Sequence, residues 1–540
     1  MFSAILNCSR KAPMSRVNGF LKLTCLCLLF SGGVYADICF AHSAPDLSAA
    51  DGRNNVILII LDALRPDHVN CYGYHKETSP HIDELAARGV LFKNAFSQSS
   101  LTLPSTLSIF SSLYPFSHGV QYMYKDVIPD TITTLAQVLE QNGYKTSWFG
   151  DTIDPHTGGA RGMLKGFQEK FDMYSKNLEQ VCSWIRENRE RPFFATIHSY
   201  NVHEQLFPFF RAENAFTASV PKDFTDILDG VKKKRWDRIR DLFLNNRAFL
   251  IEKMGEQWVE ENARYFLQPF SVQLYDSMVG RQDLMTQKLK RDELSKAALY
   301  SVLNSLNEPE VKHLLMLLDG ALFDVDRGIG RLVLELKRSG IYDKTLIIIT
   351  ADHGNEFKEH GKVGHGATVY DEAIHVPLIF SFPGWDKKIE TEELAQSIDI
   401  APTLLDILRI PVPEQMQGKS LAGIMKRKKG ALSNEYVFSQ SPAGAVSVRS
   451  KEWKFICNFL EVESFGARAD GIIQGELYDL TKDKSERCNI IADCGERAQS
   501  LMNILAKKIK SVPLYSEGIR MFPPELDEDI RERIKKTGYW

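Results

Sequence analysis

The stretch VILIILD, residues 56–62, is a short continuous apolar run that ends on a carboxylate. Such a run without polar alternation reads as a strand buried on both faces, the kind found in parallel sheets. A carboxylate at the end of a buried strand is expensive unless it is paired or holds a metal. Later, TLIIIT (345–350) runs directly into Ala351-Asp352-His353-Gly354. That second strand end offers a carboxylate and an imidazole side by side.

Outward from these two runs, LFKNAF (91–96), YKTSWFG (144–150), FFATIHSY (193–200) and VPLIFSFPG (376–384) also read as strands. HIDELAARGV (81–90), TITTLAQVLEQNG (131–143) and DGALFDVDRGIGRLVLELKRSG (319–340) read as helices, the last two closed by glycine. Strands alternating with helices predict an α/β domain around a mostly parallel central sheet. Ligands of such sheets bind at the carboxyl ends of the strands. Asp62, Thr102, His198, His203, Asp352 and His353 all fall there or at a helix start.

Beyond about residue 429 the texture changes to short alternating segments and a closing helix, which predicts a smaller α+β subdomain over 429–540. Residues 37–428 form the expected catalytic domain, with 205–315, helical and polar, as an insertion or lid. The chain has 540 residues, 44% hydrophobic and 25% charged, with a net charge of −3, which gives no footprint of a nucleic-acid partner. No apolar span after residue 50 is long enough for a multi-pass membrane protein.

At the N-terminus, Arg10, Lys11, Arg16 and Lys22 precede the apolar LTCLCLLF and then Val34-Tyr35-Ala36. This order predicts a secretory signal peptide over 1–36, no transmembrane span after its removal, and a periplasmic or secreted protein. Six cysteines follow it, of which Cys488 and Cys494 are spaced to close a small loop or to stay free.

The segment SSLTLPSTLSIFSSLYPFSHGV (99–120) poses a choice. Pro104 marks a helix start, so Thr102 lies at or beside the cap, and by cap preference alone it is only a cap. The other reading makes its hydroxyl a nucleophile. Two carboxylates, an imidazole and this hydroxyl would suit a divalent cation, which would lower the hydroxyl's pKa.

From about Asn55 to the C-terminus the sequence resembles the sulfatase family of the alkaline phosphatase superfamily. The resemblance rests on LDALRPDHVNCYGY, TSPHIDELAARGVLFKNAFSQ, SLYPFSHGV, HSYNVHE, DGALFDVDRGIGRL, TADHGNEFKEHG, SIDIAPTLLDIL and ELYDLTKDKSERCNI, in that order. It implies an alkaline-phosphatase-like fold and one divalent metal on Asp62, Asp352, His353 and the Thr102 oxygen. Calcium prefers more oxygen ligands than this set, so manganese and zinc stand beside it as candidates. It also implies Thr102 as nucleophile and His203 near the transferred group. His365, twelve residues after His353, takes the place of a substrate-contacting lysine. His360 and His118 lie near these motifs, either structural or, for His360 with His365, helping to hold a second ion.

Departures from the family pattern bear on the substrate. The formylglycine-forming Cys or Ser is replaced by Thr102, and the arginine of its motif by Thr106. Ala63 stands where a second metal-binding aspartate is common, and Gly150-Asp151-Thr152-Ile153 replaces a pair of anion-binding cations. A threonine ester cannot collapse to an aldehyde and must be hydrolysed by in-line attack, a route phosphorus accepts better than sulfur.

The leading expectation is therefore a metal-dependent hydrolase or transferase of phosphate mono- or diesters. A sulfatase using unmodified threonine and a catalytically silent binding protein are the alternatives. Substrates would be small-molecule, lipid- or glycan-linked esters; oligomeric state is not legible. Amino-terminal sequencing of exported protein is expected to begin within a few residues of Asp37, and an intact N-terminus on cytosolic protein would refute export.

Overall fold

The computed structural model describes residues 54–121, 127–150, 162–172, 178–204, 306–382, 388–427, 431, 433–459 and 474–515. The expected signal peptide, residues 205–305 of the expected insertion, and Asp151 to Ile153 lie outside them.

The larger sheet is built from β1 (Asn55–Leu61), β2 (Gly89–Phe96), β3 (Lys145–Gly150), β4 (Glu169–Asp172), β5 (Phe193–Ser199), β6 (Thr345–Thr350), β9 (Leu378–Ser381) and β10 (Ile389–Gln396). Their order is β10-β2-β9-β6-β1-β5-β3-β4. β7 (Glu356–Phe357) and β8 (Val363–Gly364) form a short hairpin after β6. β1 lies at the centre, parallel to β5 and to β6. Only β9 runs against its neighbours, and because it is antiparallel to both β2 and β6, those two point the same way. The carboxyl ends of β1, β2, β5 and β6 thus share one edge.

Every residue of β1 and β6 is buried, as a sheet covered on both faces requires. The covering helices pack in two sets. Helix α1 (Pro80–Ala86), α5 (Leu178–Asn188) and the four-residue α6 (Asn201–Glu204) lie against the long α7 (Glu308–Arg338). Helix α2 (Thr102–Ser111) packs with α3 (Pro115–His118), α4 (Leu135–Gln141) and α9 (Ile400–Ile407). Short helices α8 (Asp371–Ile374) and α10 (Ala422–Met425) complete this part. No helix among the described residues is long and apolar enough to cross a membrane.

Strand β10 was not legible from the sequence. Its first half alternates exposed and half-buried polar residues, because it is the outermost strand beside β2.

A second, antiparallel sheet joins β11 (Val437–Gln440), β12 (Ala445–Arg449), β13 (Trp453–Asn458) and β14 (Glu476–Asp479) in sequence order. Helix α11 (Gly495–Ser511) covers it, setting Ala498, Leu501, Met502 and Leu505 against Val446, Val448, Phe455 and Leu477. The spacing of those four residues is one face of a helix. Past α11 the chain returns to α3: the Ser117 hydroxyl donates to the Pro513 carbonyl at 2.6 Å, and Tyr515 N–H donates to the Ser117 carbonyl at 2.9 Å. Cys488 and Cys494 are both free thiols, as are Cys71 and Cys182.

The loop after β6 is held tightly. Gly354 N–H donates to the Ala373 carbonyl of α8 at 2.9 Å, and a Cβ at Gly354 would stand 2.2 Å from the Glu372 carbonyl oxygen. Gly354→Ala therefore has to push α8 away from the Asp352-His353 loop, and is expected to cost about 1–3 kcal/mol as an overpacked site. Denaturant unfolding measures this, with Gly495→Ala, where a Cβ meets nothing within 4 Å, as the neutral control.

Candidate active site

Strand register places the carboxylates. Leu61 pairs with Ser199 of β5, and Ile60 with Thr350 of β6. Asp62 is thus the first residue past β1, with its N–H on the Ser199 carbonyl at 3.0 Å, and Asp352 is the second past β6. Both side chains are fully buried, as are His353 and His198.

Thr102 is the first residue of α2. The residue before it, Leu101, is extended and offers no polar side chain, and no side chain caps this helix. The Thr102 hydroxyl turns to the sheet edge instead, 3.3 Å from Asp62 Oδ2 and 3.2 Å from His353 Nε2. His353 Nε2 lies 3.7 Å from Asp62 Oδ1 and 3.6 Å from Asp352 Oδ2. Its Nδ1 is 2.8 Å from the Gly354 carbonyl, an oxygen that only accepts, so Nδ1 carries the hydrogen and Nε2 presents a lone pair. The choice posed by the sequence resolves geometrically: the hydroxyl faces the cluster, not its helix.

Two carboxylate oxygens of the cluster are left unpaired. Asp352 Oδ1 accepts N–H bonds from Ala63 at 3.2 Å and His353 at 2.9 Å, while its Oδ2 and Asp62 Oδ1 have no hydrogen-bond partner. Unsatisfied buried oxygens are rare in native proteins and call for an explanation such as an ion. Burial and the facing Asp352 push the Asp62 carboxyl well above its usual range. Against its own burial, His353 and His198 hold Asp352 below it. Ligand atoms of Asp62, Asp352 and His353 lie within 4.8 Å of one another. Two carboxylate oxygens, an imidazole lone pair and a hydroxyl fit a divalent cation.

Two further imidazoles border this group. His203 on α6 and His365, just past β8, meet Nε2 to Nε2 at 2.9 Å, and the His365 ring lies 4.4 Å from that of His353. Burial, followed by the charge of His353, pushes His203 down to about 3 and His365 well below its usual value. The 2.9 Å contact requires one N–H shared between the two rings. Arg65, close by in sequence, is engaged elsewhere, on Asp67 at 2.6 Å, on the Asn355 carbonyl at 3.1 Å and on Glu359.

The sequence reading gave His198 no role beyond its place at the edge. Its Nε2 lies 3.8 Å from Asp62 Oδ2 and 3.7 Å from Asp352 Oδ2, and neither ring nitrogen has a hydrogen-bond partner. The signal was its position one residue before the end of a buried strand. His118 is a buttress: its Nε2 is 3.2 Å from the Ser108 hydroxyl and 3.3 Å from the Pro104 carbonyl, both on α2. Thr106 is buried with its hydroxyl unpartnered. His360 lies with Glu356 and Glu372 in a separate group.

Comparison with known proteins gives the following. The sulfatase family model matches residues 54–410, and that of the N-sulphoglucosamine sulphohydrolase C-terminal region matches 359–513. A Delta 4,5-hexuronate-2-O-sulfatase of Bacteroides thetaiotaomicron is 26% identical over 82% of this chain and 86% of its own. The structure of a 2-O GAG sulfatase superposes with a TM-score of 0.58 at 21% identity, covering 86% of this chain and 98% of that one. That of the phosphonate monoester hydrolase of Agrobacterium radiobacter does so with 0.56 at 20%, covering 85% and 95%. The last two show a shared fold.

Elemental analysis of protein purified without chelator is expected to find a stoichiometric divalent cation in the wild type and a loss at this cluster in Asp352→Ala. Equal content in both would remove Asp352 from the site.

Proposed function

The chain belongs to the sulfatase family, a hydrolase acting on sulfuric or phosphoric esters, and within that family we propose that it cleaves phosphate mono- or diesters through a covalent phosphothreonine at Thr102. The observation that carries this reading is the Thr102 hydroxyl facing Asp62 and His353. A divalent cation held by Asp62, Asp352, His353 and the Thr102 oxygen would lower the hydroxyl's pKa and neutralise charge on the transferred group.

The residues then divide the work. Thr102 Oγ1 attacks phosphorus as the bond to the leaving oxygen breaks. The His203–His365 pair, with its single shared N–H, supplies the proton to that oxygen within hydrogen-bond reach. The N-terminus of α2 presents backbone N–H groups beside the group transferred to Thr102. In the second step an oxygen of water, or of an acceptor alcohol, attacks phosphorus in line and Thr102 Oγ1 departs. The pair now takes up the attacker's proton.

Phosphorus is favoured over sulfur because the threonine ester has no exit except this second attack. Among the described residues, imidazoles and Thr106 stand in place of fixed lysine and arginine charges, which supports a pocket with fewer of the usual sulfate-binding cations. The competing reading, a sulfuric ester hydrolase with unmodified threonine, draws on the names of the relatives. Substrates on either reading are small-molecule, glycan- or lipid-linked esters, met in the periplasm or outside the cell.

Thr102→Ala tests the role directly. A nucleophile's loss is expected to lower turnover by several orders of magnitude in a folded protein. A purely structural helix start would cost about 1 kcal/mol of stability and spare turnover. Thr102→Ser should retain measurable activity. Acid quench of a slow substrate followed by mass spectrometry should find a phosphate adduct on Thr102. Parallel assays on aryl phosphate, phosphodiester, phosphonate and sulfate esters decide between the two readings, and near-normal turnover by metal-loaded Thr102→Ala would end both.

A further inference from the structure

A second group of metal-type donors sits on the β7–β8 hairpin. Glu356, the first residue of β7, is 1% exposed. Its Oε2 accepts the Thr368 hydroxyl at 2.8 Å, and its Oε1 has no partner. Burial, only partly offset by that hydroxyl, pushes this carboxyl up to about 7, as expected where an anion lacks a counter-charge.

His360, in the turn between β7 and β8, faces two groups. Its Nε2 is 2.8 Å from the Glu486 backbone carbonyl, and its Nδ1 meets the carboxylate of Glu372 on α8. A carbonyl oxygen only accepts, so Nε2 carries a hydrogen. Nδ1 therefore shares a proton with that carboxylate unless a metal displaces it. Metal-bound imidazoles are commonly held in this way, with the second nitrogen donating to a backbone carbonyl.

Ligand atoms of Glu356, His360 and Glu372 lie within 4.8 Å of one another. Lys358 of the hairpin donates to the Leu306 carbonyl, Lys362 acts on Glu356 through charge alone, and three other basic side chains nearby have carboxylates of their own. Arg65 pairs with Asp67 and Glu359, Arg449 with Asp371, and Lys454 with Asp371 and Glu486.

We propose that Glu356, His360 Nδ1 and Glu372 bind a second divalent cation, separate from the cluster of Asp62, Asp352 and His353. One nitrogen and two carboxylates favour zinc or manganese over calcium. The ion fastens the turn of the hairpin to α8, and the same hairpin delivers His365 to the active site. Its role is to hold that hairpin; it touches no reacting atom.

The test uses the full chain, stripped with chelator, reloaded with zinc and freed of excess before elemental analysis. Wild type is expected to hold two equivalents, Asp352→Ala one, Glu356→Gln one, and the double variant none. Glu356→Gln keeps an acceptor for Thr368, and its thermal unfolding checks that it is folded. In the Asp352→Ala background, zinc is expected to raise the melting temperature, and adding Glu356→Gln should abolish that rise. No zinc in Asp352→Ala, or wild-type content in Glu356→Gln, overturns the proposal and leaves His360 and Glu372 joined by a proton. A single equivalent that survives Asp352→Ala and leaves with Glu356→Gln supports this site while removing the cluster at Asp352.

Discussion

Two buried carboxylates, Asp62 and Asp352, stand just past the ends of neighbouring strands whose every residue is buried. Burying one unpaired anion is costly, and burying two within reach of each other more so. Much around them answers this constraint. The Ala63 and His353 N–H groups satisfy one oxygen of Asp352, and the Thr102 hydroxyl approaches Asp62. Among the described residues no lysine or arginine pairs with either carboxylate, so a proton or a bound cation is left to balance their charge. A cation held there would also stabilise the negative charge of a transferred phosphoryl or sulfuryl group.

The fold was largely legible because its central strands are continuous apolar runs and its helices carry glycine stops and regular apolar faces. β10 escaped because its polar alternation is that of an exposed margin, and α5 because its eleven residues mix charge with a narrow apolar face. Among the site residues, Asp62, Asp352 and His353 announced themselves as polar groups at the ends of apolar strands. Thr102 did not, since a hydroxyl at a helix start has an ordinary explanation, and only the extended Leu101 and the side-chain direction distinguish the two. His198 was harder still: nothing in a single sequence says which face of β5 an imidazole occupies.

The pocket also differs in kind from one built on lysine and arginine. A fixed cation binds any anion of suitable shape, whereas His203 and His365 are held neutral by burial and exchange one N–H. Such a pair attracts a resting sulfate or phosphate weakly and responds to charge as it develops on a leaving oxygen. Interactions that strengthen only along the reaction raise turnover rather than ground-state binding.

The return of the chain from α11 to Ser117 gives the far C-terminus an unexpected reach. Pro513 and Tyr515 are tied to α3, and the His118 ring of that helix is wedged against α2 at Pro104 and Ser108, in the turns that follow Thr102. Hundreds of residues separate these groups along the chain, yet only a short run of contacts separates them in space. During synthesis on a ribosome, Thr102 is therefore made early but seated late. The frame around Thr102 is complete only once Pro513 and Tyr515 have emerged and reached α3.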